Sequence, residues 1–157
     1  TSLATGSPDA ALDGVYKLSY SGGKPRIKLS ETIKKVTLPD RKQVYRLFDA
    51  DGNFYGADAI TLADEDSPAI MYDPFEPQKS MGLGTYRTEP QLNLVLDAGR
   101  PAMQEQNIAS IAEYARERLS KLPDEYKRFD NPHQYKIGIS PELHELRNRL
   151  ITENKYE

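Results

Sequence analysis

Five prolines between positions 68 and 101 (Pro68, Pro74, Pro77, Pro90 and Pro101) limit the fold of this 157-residue chain more than any other feature. Each removes a backbone donor and fixes φ, so no long helix or strand fits between Ser67 and Pro101. The segment is nevertheless too apolar for a free linker, because it carries Ile70, Met71, Tyr72, Phe75 and Leu83. It reads as an ordered, irregular connector with one short strand from Leu92 to Leu96. Residues 67–104 therefore separate a first region, 1–66, from a last region, 105–157.

The first region alternates like β structure. In "VYKLSY", Tyr16, Leu18 and Tyr20 alternate with Lys17 and Ser19; beyond Gly22-Gly23, Ile27 and Leu29 alternate with Arg26, Lys28 and Ser30. This predicts a hairpin with one apolar and one basic face. "KQVYRLFD" and "NFYGADAITL" flank Asp51-Gly52, a strong turn signal, and predict a second hairpin. Opposite charges facing across its strands would help to fix the pairing.

The last region changes period. Ile108, Ile111, Ala112, Ala115, Leu119 and Leu122 recur at steps of three and four, which predicts a helix capped by Asn107 and stopped by Pro123. A second helix is predicted from Ser140, with Pro141 at its first position and Leu143, Leu146 and Leu150 on its buried face. "YKIGI" between them reads as a short strand. The fold class is α+β: antiparallel β hairpins, an irregular connector, then a helical C-terminal region.

Composition excludes several chemistries. With no cysteine and two histidines, thiolate sites, disulfides and a histidine-rich metal centre are ruled out. His133 and His144 lack a nearby Ser or second ligand and read as packing or surface residues. Gly82 and Gly84 in "MGLGT" lack the strand and helix that frame a phosphate loop. Glu65-Asp66 reads as a solvated loop. No metal ligands and no catalytic residues are assigned to the chain. No apolar run is long enough to span a bilayer and no leader precedes the first strand, so a cytoplasmic protein without membrane partners is expected. Thr1 in place of an initiator Met reads as a processed, proteolysed or truncated product.

Charge is segregated. The stretch "GKPRIKLSETIKKVTLPDRKQVYRL" holds eight Lys and Arg against Glu31 and Asp40, whereas positions 49 to 76 hold eight carboxylates and no Lys or Arg. A solvated face is the ordinary outcome for such a run. Nucleic acid fits poorly, because the net charge is −3 and the acidic strand adjoins the patch. A small, highly charged anion such as phosphate or pyrophosphate fits better, since Arg26, Lys28 and Ser30 would project from one strand face.

"GVYKL", "PRIKLSE", "KVTLPDRKQVYRL" and "LPDEYKRFDNPHQYKIGISPELHELRNRL" together resemble, in order and spacing, the C-terminal portion of bacterial-type nicotinate phosphoribosyltransferase. The resemblance covers nearly the whole chain and is weakest in the proline-rich middle. It implies an enzyme of NAD biosynthesis that joins nicotinate to phosphoribosyl pyrophosphate, using Mg²⁺ and ATP and a phosphorylated histidine in an earlier barrel segment. The strands here would complete a β-rich domain, and the missing N-terminal and barrel regions and a second subunit of a homodimer would be partners.

The same resemblance makes Thr1 the Thr that follows a glycine-rich phosphate loop. It places Lys28, Lys35 and Lys42 where the family carries Lys directed toward phosphate, with Arg26 and Ser30 as supporting donors. Asp40 departs from the family, which commonly has Gly there. The alternative is a free-standing noncatalytic interaction or anion-binding module, with the lysines serving only ion pairs or a subunit interface.

Overall fold

The Asp51-Gly52 turn joins the two longest strands of the protein, whose computed structural model describes residues 15–154. Strand β3 (Lys42–Phe48) runs antiparallel to β4 (Phe54–Leu62), with Val44 opposite Ile60 and Arg46 opposite Asp58. Ahead of them, β1 (Tyr20–Ser21) and β2 (Lys24–Pro25) form a two-residue ladder around Gly22 and Gly23, which take φ of 58° and 74°. The first hairpin is therefore far shorter than its alternation predicts. Pro25 has no N–H to continue the ladder, and residues 26–30 turn away as a loop. Tyr16 and Leu18 consequently lie exposed, and the expected apolar hairpin face is not built.

The proline-rich middle contributes three short strands to the main sheet: β5 (Ile70–Tyr72), β6 (Ser80–Gly82) and β7 (Arg87–Pro90). No strand occupies Leu92 to Val95; the predicted one is replaced by a small hairpin of β8 (Leu96–Asp97) and β9 (Arg100–Pro101). The physical reason lies at Gln43, whose side chain accepts from Leu92 N (2.9 Å) and donates to Leu92 O (3.0 Å). Those two bonds satisfy the backbone at Leu92 without a partner strand.

Helix α1 (Ile108–Ser120) and the single turn α2 (Asp124–Lys127) precede β10 (Lys136–Ile139) and α3 (Pro141–Asn154). Asn107 caps α1 by accepting from Ser110 N at 2.8 Å, and Ser140 caps α3 by accepting from Leu143 N at 3.2 Å. The main sheet has the order β6-β5-β10-β4-β3-β7; β10 is parallel to β4 and its other pairings are antiparallel. The α+β class expected from the sequence holds.

Register divides the sheet into two faces. Val44, Arg46 and Phe48 share one face with Ile60, Asp58 and Phe54. On the other, Leu47, Ala57, Ala59, Met71 and Leu83 form a buried cluster, with Tyr55, Met81 and Tyr86 at its margin. Gly56 marks the irregularity in β4: its φ is 85°, and a Cβ there would run into the ring of Tyr126, whose hydroxyl donates to Tyr55 O at 3.4 Å. Leu143 and Leu146 of α3 are buried as predicted, and the helix packs on β4 and β5.

Helix α1 departs from expectation. It has the predicted stripe and cap but buries no residue, and Ile108, Ile111 and Leu119 remain exposed. Arg118 attaches it to the sheet instead: the guanidinium lies 4.8 Å from the Phe54 ring centroid and 5.5 Å from that of Phe48, and pairs with Glu89 at 3.2 Å.

Candidate functional site

The cationic stretch becomes a loop fastened at three points. Ser19 O accepts from Arg26 N (2.7 Å) and from Asp40 N (2.7 Å), which brings the two ends of residues 26–40 onto one carbonyl. Within it, Lys28 N donates to Thr37 Oγ1 (2.9 Å) and Thr37 N donates to Lys28 O (3.3 Å). These bonds close a smaller loop of residues 28–37, which contains a 3₁₀ turn at Ile33–Lys35. At the far end Arg41 stacks over Tyr20, 5.2 Å from its centroid.

This geometry sorts the predicted site residues. Lys28, Ser30 and Lys35 fall within one closed loop, with Arg26 just before it beside Gly22. Lys28 and Lys35 are exposed, and neither forms an ion pair among the described residues. The strand that would have aligned Arg26, Lys28 and Ser30 is absent, so their expected projection from one strand face is corrected: Lys28 and Ser30 lie in the closed loop and Arg26 just before it. Ser30 Oγ accepts from Thr32 N at 3.3 Å, which orients it within the loop. Thr1 lies outside the described residues.

Lys42 is placed differently. Its ammonium donates to Leu38 O (3.1 Å), Pro39 O (3.2 Å) and Asp40 O, so three carbonyls meet its three N–H bonds. Burial lowers its pKa, and the charge of Asp40 opposes the shift. Asp40 takes φ of 64°, the left-handed conformation that favours glycine. That conformation accounts for the glycine that the family resemblance leads one to expect at this position.

The structure also assembles groups that sequence reasoning missed. Asp58, 7% exposed, receives Arg46 Nε on Oδ1 (3.0 Å), Arg46 Nη2 on Oδ2 (2.9 Å) and the Tyr135 hydroxyl on Oδ1 (2.8 Å). The bonds to Asp58 raise the pKa of Arg46, and burial followed by the hydrogen bond to Asp58 raises that of Tyr135. The opposite charges expected to face across the hairpin are realised in Arg46 and Asp58, a pair the sequence did not single out, and nothing in the sequence tied Tyr135 to them. Glu65 is no solvated loop residue, because its Oε2 accepts from Ser140 Oγ (2.7 Å) and Leu62 N (3.0 Å). His133 and His144 stack near Tyr126 (5.7 Å) and Tyr72 (5.5 Å), in packing roles. Among the described residues no three His, Cys, Asp or Glu side chains gather to hold a metal ion, and no helix is long and apolar enough to cross a membrane.

Residues 41–147 match the family model described as the nicotinate phosphoribosyltransferase C-terminal domain. The chain belongs to the nicotinate phosphoribosyltransferase family. Relatives bearing that enzyme name include one from Homo sapiens, 34% identical over 96% of this chain and 28% of its own length. Another is from Bacillus subtilis, 31% identical over 100% of this chain and 35% of its own length. The crystal structure of human nicotinic acid phosphoribosyltransferase is similar with a TM-score of 0.74 at 32% identity, over 90% of this chain and 27% of that one.

The chain thus spans about a third or less of the nicotinate phosphoribosyltransferases it matches, and corresponds to their C-terminal domain. The match starts at Arg41, so Lys42 falls inside the family model, whereas Arg26, Lys28, Ser30 and Lys35 fall in the segment before it.

Proposed function

We propose that this chain is the C-terminal part of an enzyme that condenses nicotinate with phosphoribosyl pyrophosphate for NAD synthesis, and that its closed cationic loop faces the pyrophosphate. Displacing pyrophosphate from the ribose builds negative charge on the leaving group, and cationic donors fixed in advance stabilise that charge best. The observation that supports this reading is the loop of residues 28–37: it is held by the Lys28–Thr37 bonds, and Lys28 and Lys35 stay exposed without ion pairs among the described residues. Arg26 and Ser30 serve as supporting donors. Lys42 serves by anchoring the loop's end on three carbonyls.

In this reading the ATP and Mg²⁺ of the parent enzyme are held by other segments. The parent works as a homodimer in the cytoplasm, and the isolated chain has no transferase activity. The test is kinetic. In the complete enzyme Lys28→Ala raises KM for phosphoribosyl pyrophosphate more than KM for nicotinate, with the melting temperature unchanged. Equal effects on both substrates would assign Lys28 to packing and reject the phosphate role.

A further inference from the structure

Tyr55 and Tyr86 come from separate parts of the chain and meet at the margin of the buried cluster, with ring centroids 4.2 Å apart and planes inclined at 45°. Tyr55 lies on β4 beside Gly56. Tyr86 closes a turn just before β7, its N donating to Leu83 O at 3.0 Å. Both rings are half-buried and line one groove of about 480 Å³. Contact between two aromatic rings is ordinary packing. The chemistry of the two hydroxyls sets this pair apart.

The hydroxyls are neighbours. A hydrogen bond from Tyr86 lowers the pKa of Tyr55 and the charge of Lys136 adds to this, against the opposing effect of burial; the bond to Tyr55 and burial raise the pKa of Tyr86. Lys136 Nζ lies 5.4 Å from the Tyr55 centroid, over the ring. A phenolate gives up an electron more readily than a phenol, so this setting favours oxidation at Tyr55. A phenoxyl radical carries its unpaired spin on the oxygen and on the ring carbons ortho and para to it. Neighbouring hydroxyls on rings 4.2 Å apart therefore bring the ortho carbons of the two residues together.

We propose that Tyr55 and Tyr86 form a dityrosine crosslink when the protein meets a one-electron oxidant. Each phenol loses one electron and its hydroxyl proton. The two radicals join by a carbon–carbon bond between ortho positions, and each ortho hydrogen shifts to its own oxygen to restore the phenol. Two electrons and two protons leave in all; hydrogen peroxide, as terminal oxidant, takes them up and becomes two waters. The bond staples β4 to the turn ahead of β7, and the fixed proximity of the rings favours it over coupling between molecules. Tyr126 and Tyr135 form a contrasting pair: their rings are T-shaped at 5.9 Å, and their hydroxyls are committed to different acceptors, Tyr55 O and Asp58. The proposal does not rest on the phosphate reading, and its test does not use turnover.

The experiment is photo-oxidation of the complete protein, mixed from isotopically light and heavy stocks, with ruthenium tris-bipyridyl and persulfate, which takes the two electrons and leaves as two sulfates. The products are digested and mapped by mass spectrometry. The expected result is a joined pair of peptides holding Tyr55 and Tyr86, lighter by two hydrogens than their sum, fluorescent as dityrosine, and all light or all heavy. Tyr55→Phe and Tyr86→Phe should each lower the yield of crosslink within one chain at least about tenfold. Three results would each overturn the proposal: no Tyr55–Tyr86 product when exposed tyrosines such as Tyr16 are oxidised, Tyr55 joined mainly to another tyrosine, or joined pairs that mix light and heavy chains at random. The map of the unaltered protein decides the matter even if a variant fails to fold.

Discussion

Arg46 and Asp58 face each other across β3 and β4 and form a two-bonded pair, Nε to Oδ1 at 3.0 Å and Nη2 to Oδ2 at 2.9 Å. Tyr135 adds a third bond at 2.8 Å from the segment that leads into β10. The Asp58 carboxylate therefore ties two strands and the lead-in to a third together from one point. Asp58→Ala is expected to destabilise the protein by about 3 kcal/mol, since it leaves a partly buried guanidinium and a phenol unpaired. Chemical denaturation checks this. A loss below about 1 kcal/mol would mean that water replaces the carboxylate without cost.

Gly56 should tolerate no side chain. Its φ of 85° and the ring of Tyr126 over it act independently, so Gly56→Ala is expected to cost about 2 kcal/mol or more, from backbone strain and displacement of the tyrosine. Combining it with Tyr126→Ala would relieve the clash but not the strain. The double variant should be less destabilised than the sum of the two singles, and strict additivity would count against the contact.

Glu65 makes stability depend on pH. Burial raises its pKa above the ordinary value, more than its bonds from Ser140 and Leu62 lower it. In the window from the usual glutamate value, about 4.3, up to the folded-state value, the folded chain holds more protons than the unfolded one. This contribution to stability is therefore complete below the window and is lost as pH rises through it. Glu65→Gln keeps an acceptor for Ser140 and cannot ionise, so its stability profile should lack that fall. Denaturation midpoints between about pH 4 and 7 measure the difference; parallel profiles for variant and parent would refute it.

Much of this architecture was legible. The Asp51-Gly52 hairpin, the Asn107 and Ser140 caps, the short strand before α3 and the burial of Leu143 and Leu146 all follow from local rules of turn, cap and period. The strands at Ile70–Tyr72 and Ser80–Gly82 did not, because three residues carry no detectable period and the pairing of the first with β10, on which the second is added, is a long-range event. Arg147 carried no signal of its own: it lies at helical spacing from Leu143 and Leu150 and is buried with that face, whereas a charged residue is ordinarily exposed.

Helix α1 illustrates the limit of periodicity. Its stripe follows from the spacing, but period cannot say whether a face meets a partner within the described residues, and Ile108 and Ile111 remain exposed. Attachment rests on Arg118 and on the bond from Phe54 N to the C-cap carbonyl of Lys121 (2.9 Å), so Arg118→Ala should loosen α1 and accelerate amide exchange along it while β3 and β4 keep their protection. Arg118→Lys should restore little, because the flat guanidinium packs on Phe54 and bonds Glu89 at once. Unchanged exchange in α1 would show that another contact holds the helix.

The central claim concerns the closed loop at Lys28. Its most direct test is a crystal structure of the complete enzyme with phosphoribosyl pyrophosphate bound, in which one distance is read: from Lys28 Nζ or Lys35 Nζ, of either subunit, to the nearest phosphate oxygen. The account predicts about 3 Å, a charge-assisted hydrogen bond. A separation beyond about 8 Å for both lysines, roughly the screening length at physiological ionic strength, would contradict it.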